Sequence, residues 1–157
     1  MHSRIIQISN QPVDEMDYIE DWKIDEWFME EVADSLDISD REEDIEWIRG
    51  LLSSFENISI TEDDMLEIKD VKALEEEWFR ERYNAFQTLA ASMTFEDFAK
   101  GTQDYSVSRL MEDKRDLYIY DSDINGLMSL DKFIREFAMM NTEGQKFHIG
   151  GTLDYRY

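Results

Sequence analysis

From Arg4 to Ser9 apolar and polar residues alternate around Ile6 and Ile8, a period of two that predicts a short strand, and Asn10-Gln11-Pro12 ends it with the only proline. From Ile24 the period changes. Apolar residues recur at Phe28, Val32 and Leu36 with Trp27 alongside, which predicts a helix over 24–37 that turns Asp25, Glu26, Glu30, Glu31, Asp34 and Asp37 outward. Asp40 and Glu43 have the spacing of a capping box, and Ile45, Ile48, Leu52 and Phe55 continue at helical spacing, so a second helix is expected from about 40 to 55. Two short strands, 58–60 and 65–68, are expected around the acidic turn Thr61-Glu62-Asp63-Asp64. Val71, Leu74, Trp78, Phe86, Leu89 and Met93 mark the longest helix, roughly 70–92, which is expected to carry the core. Thr94 with Asp97 opens a short helix that Gly101 closes. A strand at 117–120, a helix at 129–139 and a terminal strand or hairpin around Gly150-Gly151 complete the reading. Because no regular βαβ repeat appears, the expected fold class is α+β: a single domain over residues 1–157 with several amphipathic helices and a small mixed or antiparallel sheet.

Charge changes this picture sharply. Residues 14–78 hold 25 Asp and Glu against 5 Lys and Arg, a net −20 out of −22 for the 157-residue chain. Residues 79–157 are nearly balanced, with 13 acidic against 10 basic. The five carboxylates Asp40, Glu42, Glu43, Asp44 and Glu46 at the start of the second helix exceed what the helix dipole explains. Disorder is not expected despite the acidity, because Trp22, Trp27, Trp47 and Trp78 lie inside the acidic block and supply large apolar groups. The absence of cysteine leaves no disulfide framework or thiolate nucleophile, and the cytoplasm is the expected location. No stretch has the roughly 18 apolar residues of a membrane span.

Duplex DNA carries about one charge per 1.7 Å of axis, and a helix rises about 1.5 Å per residue. Carboxylates on two neighbouring helices and a hairpin therefore approach the charge density of nucleic acid. The residues expected to carry such mimicry are Glu26, Glu30, Glu31, Asp34, Asp37, Glu42, Glu43, Asp44, Asp63 and Asp64. The expected partner is a basic nucleic-acid-binding protein or nuclease, with no direct nucleic-acid binding, no membrane and no cofactor. In size, acidity and lack of cysteine the chain resembles small phage inhibitors such as anti-CRISPR and anti-restriction proteins; the likeness is one of composition, and no fold or residue assignment follows from it. The bland alternative is a solvated acidic face. Another is a protein–protein interaction module anchored by aromatic residues such as Trp22 or Tyr18, with acidity serving solubility and steering.

A third constellation is Asp121-Ser122-Asp123-Ile124-Asn125-Gly126-Leu127-Met128-Ser129, which matches much of the calcium-loop pattern, with Asp121, Asp123, Asn125 and Ser129 as candidate ligands. Lys132 stands where the pattern needs a bidentate carboxylate. An Asn-Gly turn between a strand and the next element is the stronger expectation. No catalytic residue is assigned: His2 and His148 are the only histidines, and neither sits in a spacing that supports a triad or a two-histidine metal helix.

Overall fold

A computed structural model describes residues 1–157. Strand β1 (His2–Ser9) lies inside a mixed sheet, parallel to β5 (Leu117–Asp121) and antiparallel to the long terminal strand β7 (Gln145–Arg156). The far side of β7 is shared by two strands. Strand β4 (Met65–Ile68) pairs with Gln145 to His148, and β2 (Ser35–Asp37) pairs with Asp154 to Arg156. Beyond β4 lies β3 (Ile58–Ile60), and β6 (Gly126–Ser129) flanks β5, giving the order β3-β4-β7-β1-β5-β6 with β2 beside β7. The fold is α+β, as the irregular order of elements predicted. Strands from both halves of the chain join one sheet.

Each face of the sheet has its own core. On one face, α2 (Arg41–Leu52), the first turns of α3 (Val71–Ser92) and α6 (Leu130–Met140) bury Ile48, Trp78 and Phe133 against Ile6, Ile8 and Ile119. The other face is covered by residues 10–33, which form two single 3₁₀ turns (15–17 and 21–23) and α1 (Glu26–Glu31). There Phe28 meets Tyr118 and Tyr155 edge to face at ring separations of 4.8 and 5.1 Å.

Gly150-Gly151 form a bulge inside one continuous strand, not a hairpin. Gln7 alone stands opposite both glycines, so the register shifts and β7 changes the face that each parity presents. Phe147 and Ile149 face the helical core, whereas Leu153 and Tyr155 face the opposite one. The Gln7 side chain is fully used at the bulge. Its oxygen accepts from the amides of Ile19 and Gly151, both at 2.8 Å, and its Nε2 donates to Asp17 O at 3.0 Å and Ser122 Oγ at 2.8 Å. A Cβ on Gly151 would lie 2.8 Å from Tyr18 Cβ and 2.9 Å from the Ile19 amide nitrogen, so the close approach requires glycine.

Three expectations are corrected. The predicted helix over 24–37 is helical only from Glu26 to Glu31, because the Asp34 amide bonds Arg156 O at 2.7 Å and the chain turns into β2. Its apolar stripe still packs inward, since Ile24 and Phe28 are buried and Val32 and Leu36 lie against the same cluster. The second helix stops at Leu52 rather than at Phe55. Finally, α3 contributes only Val71, Leu74 and Trp78 to the buried core; its second half extends away from it, with Phe86 exposed and Leu89 and Met93 only partly covered. There it packs beside α5 (Asp104–Met111), to which α4 (Phe95–Lys100) leads. α4 starts at Thr94 with Asp97 as predicted, there forming a reciprocal capping box, and ends at Gly101 in the left-handed conformation at φ 65°; at Asp40 and Glu43, where the spacing predicts the box too, only the bond from the Glu43 amide to Asp40 is made. α5 has no counterpart in the sequence reading.

Candidate anionic interface

Nine of the ten carboxylates expected to carry mimicry reach the surface. Glu26, Glu30 and Glu31 stand on α1; Asp34 and Asp37 flank the open edge of β2; Glu42 and Glu43 occupy the first turn of α2; Asp63 and Asp64 form the β3–β4 turn. Asp40 caps α2 by accepting from the Glu43 amide at 3.1 Å. Charges at the β2 edge also have a structural use, since they discourage pairing with another strand.

The tenth, Asp44, is corrected: it is 1% exposed and belongs to the interior. Its carboxylate accepts from Arg4 Nε, from the Ser39 hydroxyl and, at 2.6 Å, from the Thr152 hydroxyl. Arg4 in turn pairs with Asp154 at 3.0 Å and lies over the Trp47 ring at 5.2 Å. A signal for this was present in the chain. Asp44 precedes Ile48 and Leu52 at intervals of four, so the buried stripe of α2 extends back through it.

The two arginines of the acidic block divide their donors between backbone carbonyls and a few adjacent carboxylates. Arg41 donates from Nε to Gly150 O at 2.7 Å and from Nη2 to Ile149 O at 3.0 Å, with its guanidinium over Tyr18 at 5.2 Å. Arg49 donates to Thr61 O at 3.0 Å and pairs with Asp64 at 2.6 Å and with Glu46, which lashes the β3–β4 turn to α2. Of the nine surface carboxylates, only Glu42, 3.4 Å from Arg41, and Asp64 make an ion pair. Asp63 accepts from the Thr61 hydroxyl at 2.6 Å, and this bond holds its carboxyl below the ordinary range.

The helices α1 and α2 are not side by side. They cover opposite faces of the sheet, with Phe28 of α1 in one core and Ile45 and Ile48 of α2 in the other. The anionic surface is therefore a band with two faces joined round the β2 edge. One face holds Glu42, Glu43, Asp63 and Asp64, made rigid by Arg49; the other holds Glu26, Glu30 and Glu31. Beside this second face Trp22 is 71% exposed, whereas Tyr18 is partly covered by Arg41.

The calcium-like segment is a β5–β6 hairpin whose turn has Asn125 at φ 48°. Its oxygens point at separate protein groups. Asp123 accepts from Ser9 Oγ at 2.9 Å and the Asn10 amide at 2.8 Å, Asp121 from the Asp123 amide at 2.9 Å, and Asn125 from the Tyr120 hydroxyl at 3.3 Å. Ser129 instead caps α6 and donates to Asp113 at 2.6 Å. The four side chains do not converge, and no group of three or more histidines or carboxylates is placed to hold a metal ion. His2 lies 3.2 Å from Asp154, while His148 is placed opposite Met65 and Ser9 at the other end of β7.

A second buried charge was missed by sequence reading. Asp131 is fully buried, accepting from Trp78 Nε1 at 2.6 Å and the Lys114 amide at 3.2 Å, and pairing with Arg82 at 2.6 Å. This network ties α3 to α6. No helix is long and apolar enough to cross a membrane. No protein-family model, curated protein or solved structure matches the chain.

Proposed function

We propose that this chain is a non-enzymatic, cytoplasmic inhibitor that imitates the charge of nucleic acid and occupies the basic groove of a DNA- or RNA-binding protein, in the manner of an anti-CRISPR or anti-restriction protein. The observation that carries the reading is the set of seven exposed carboxylates, Glu26, Glu30, Glu31, Asp34, Asp37, Glu43 and Asp63, that make no ion pair. The α2 face is the better platform, because the Arg49 contacts hold the helix and the turn in one fixed arrangement. A Lys- and Arg-lined groove would gain from such a surface by long-range attraction and by counterion release.

The test begins with capture from a host lysate at low salt, elution at high salt and identification by mass spectrometry. The captured protein is then loaded on labelled DNA or RNA, and release of the nucleic acid is followed as this chain is added. Replacing Glu42, Glu43, Asp63 and Asp64 together by the neutral amides should weaken binding about 10- to 1000-fold, at about 0.4–1 kcal/mol per charge, and flatten its salt dependence. Replacing Glu26, Glu30 and Glu31 should do less. Unchanged affinity and salt slope after the fourfold neutralisation would refute the proposal.

The exposure of Trp22 favours a second reading, in which aromatic anchors carry the affinity and acidity supplies steering. Binding would then persist at high salt and fall on Trp22→Ala.

A further inference from the structure

No residue from Phe79 to Asp116 is buried, although most of this stretch is helical. It comprises the outer half of α3 with α4 and α5, an arm without a core of its own. Helices of six and eight residues are too short to be stable in water by propensity alone, so α4 and α5 need apolar cover. The arm carries the means to be covered. Phe95, Phe98 and Tyr105 project at 86%, 76% and 77% exposure, and Phe79, Tyr83, Phe86, Leu110 and Met111 line a groove of about 340 Å³ between α3 and α5, bordered by Arg82 and Arg135.

We propose that this arm is where two copies of the chain associate, with projecting aromatic residues of each seated in the groove of the other. Three observations select a second copy as the occupant. The first is charge. Residues 80–112 carry 5 acidic and 4 basic groups, a net −1 in a chain of −22, and pairs such as Lys100–Glu96 and Arg109–Glu112 neutralise them locally. Two copies meeting through residues 14–78 would set −20 against −20, whereas through the arm they set −1 against −1. The second is self-complementarity: a two-fold interface requires one patch to hold both projection and recess, and the arm holds both. The third is area. With about 200 Å² per aromatic side chain, the exposed parts of Phe95, Phe98, Tyr105, Tyr83 and Phe86 amount to roughly 650 Å², close to the ~800 Å² that each partner contributes to a stable interface.

The experiment is sedimentation equilibrium of the full chain at low and high salt. The expected mass approaches twice 18.8 kDa, and association tightens as salt screens repulsion between the acidic bodies. This salt dependence is opposite in sign to that of binding to a basic groove, so either proposal can fail without the other. The double substitution Phe98→Glu with Tyr105→Glu, which touches no buried residue, should weaken association at least about tenfold while circular dichroism shows the fold retained. The chain has no cysteine, so Ala99→Cys introduces a single thiol; a spin label there should couple to its counterpart in the second copy. A chain that stays monomeric at about 100 µM in high salt overturns the proposal and leaves the arm to a near-neutral partner of another sequence. Association at unchanged strength in the double variant, or no coupling between labels, also overturns it.

Discussion

Replacing Asp44 by Ala separates what the chain suggests from what the fold does with it. As one of the anionic residues of α2, Asp44 would be expendable; as the acceptor for Arg4, Ser39 and Thr152, it is not. Removal leaves two hydroxyls without their partner and strips one of two carboxylates from a largely buried guanidinium. Arg4 keeps Asp154 at 3.0 Å, which places the loss near the lower end of the 3–5 kcal/mol typical of a broken buried pair, at about 3 kcal/mol. For a domain of this length that corresponds to a fall in Tm of about 6–12 °C. Asp44→Asn should lose less, because its amide oxygen still accepts from one hydroxyl. The assay is urea unfolding at fixed ionic strength, followed by tryptophan fluorescence; guanidinium chloride is unsuitable because it screens the acidic block. Glu43→Gln, one residue earlier and exposed, is the control and should change stability by under about 0.5 kcal/mol. If Asp44→Ala matched this control with an unchanged urea slope, the internal role assigned to Asp44 would be wrong.

Asp131→Ala should cost about 3–5 kcal/mol in the same assay, because it takes the paired carboxylate from Arg82 and the acceptor from the Trp78 indole inside the α3–α6 contact. Gln7→Leu removes four hydrogen bonds at the bulge and leaves the Ile19 and Gly151 amides unpartnered, an expected loss of about 2–4 kcal/mol with faster proteolysis of residues 10–24. Two aspartates should give opposite pH responses. Burial pushes the Asp113 carboxyl up, but the Ser129 hydroxyl and Arg135 guanidinium outweigh it and hold it below the ordinary range. Its stabilisation is present above the unfolded value near 3.9 and is lost as pH falls through the lower folded value. Burial raises Asp121. Its contribution is present below the unfolded value and is lost as pH rises through the raised one, so Asp121→Asn should stabilise at pH 7, by under about 1 kcal/mol, and not at pH 3. Thermal melts of the unmodified chain should rise with added sodium chloride, since screening relieves repulsion within residues 14–78.

Elements whose signals are local were legible in the chain. The β3–β4 hairpin, the N-caps Asp40 and Thr94 and the left-handed stop at Gly101 depend on neighbours a few residues away, and all stand where residue type and spacing placed them. The apolar stripe Ile24, Phe28, Val32 and Leu36 likewise identified which residues turn inward, because burial follows hydrophobicity whatever the backbone conformation. It misread the conformation at its end. A stripe at intervals of four fits a helix, and nothing near Asp34 announces that Arg156, at the other end of the chain, will capture its amide.

The same distinction applies to the candidate interface. Sequence by itself determined the α+β class, the concentration of charge in residues 14–78 and the identity of the carboxylates that make it. Only tertiary structure decided which of them are free. It buried Asp44 and Asp131 by bringing Arg4 and Arg82 within reach, paired Glu42 with Arg41 and Asp64 with Arg49 while leaving the other seven surface carboxylates without an ion pair, and set α1 and α2 on opposite faces of the sheet. The physical reason is that charge is a property of each residue, whereas pairing and desolvation depend on groups that approach through space, here Asp44 and Thr152 across 108 positions of chain.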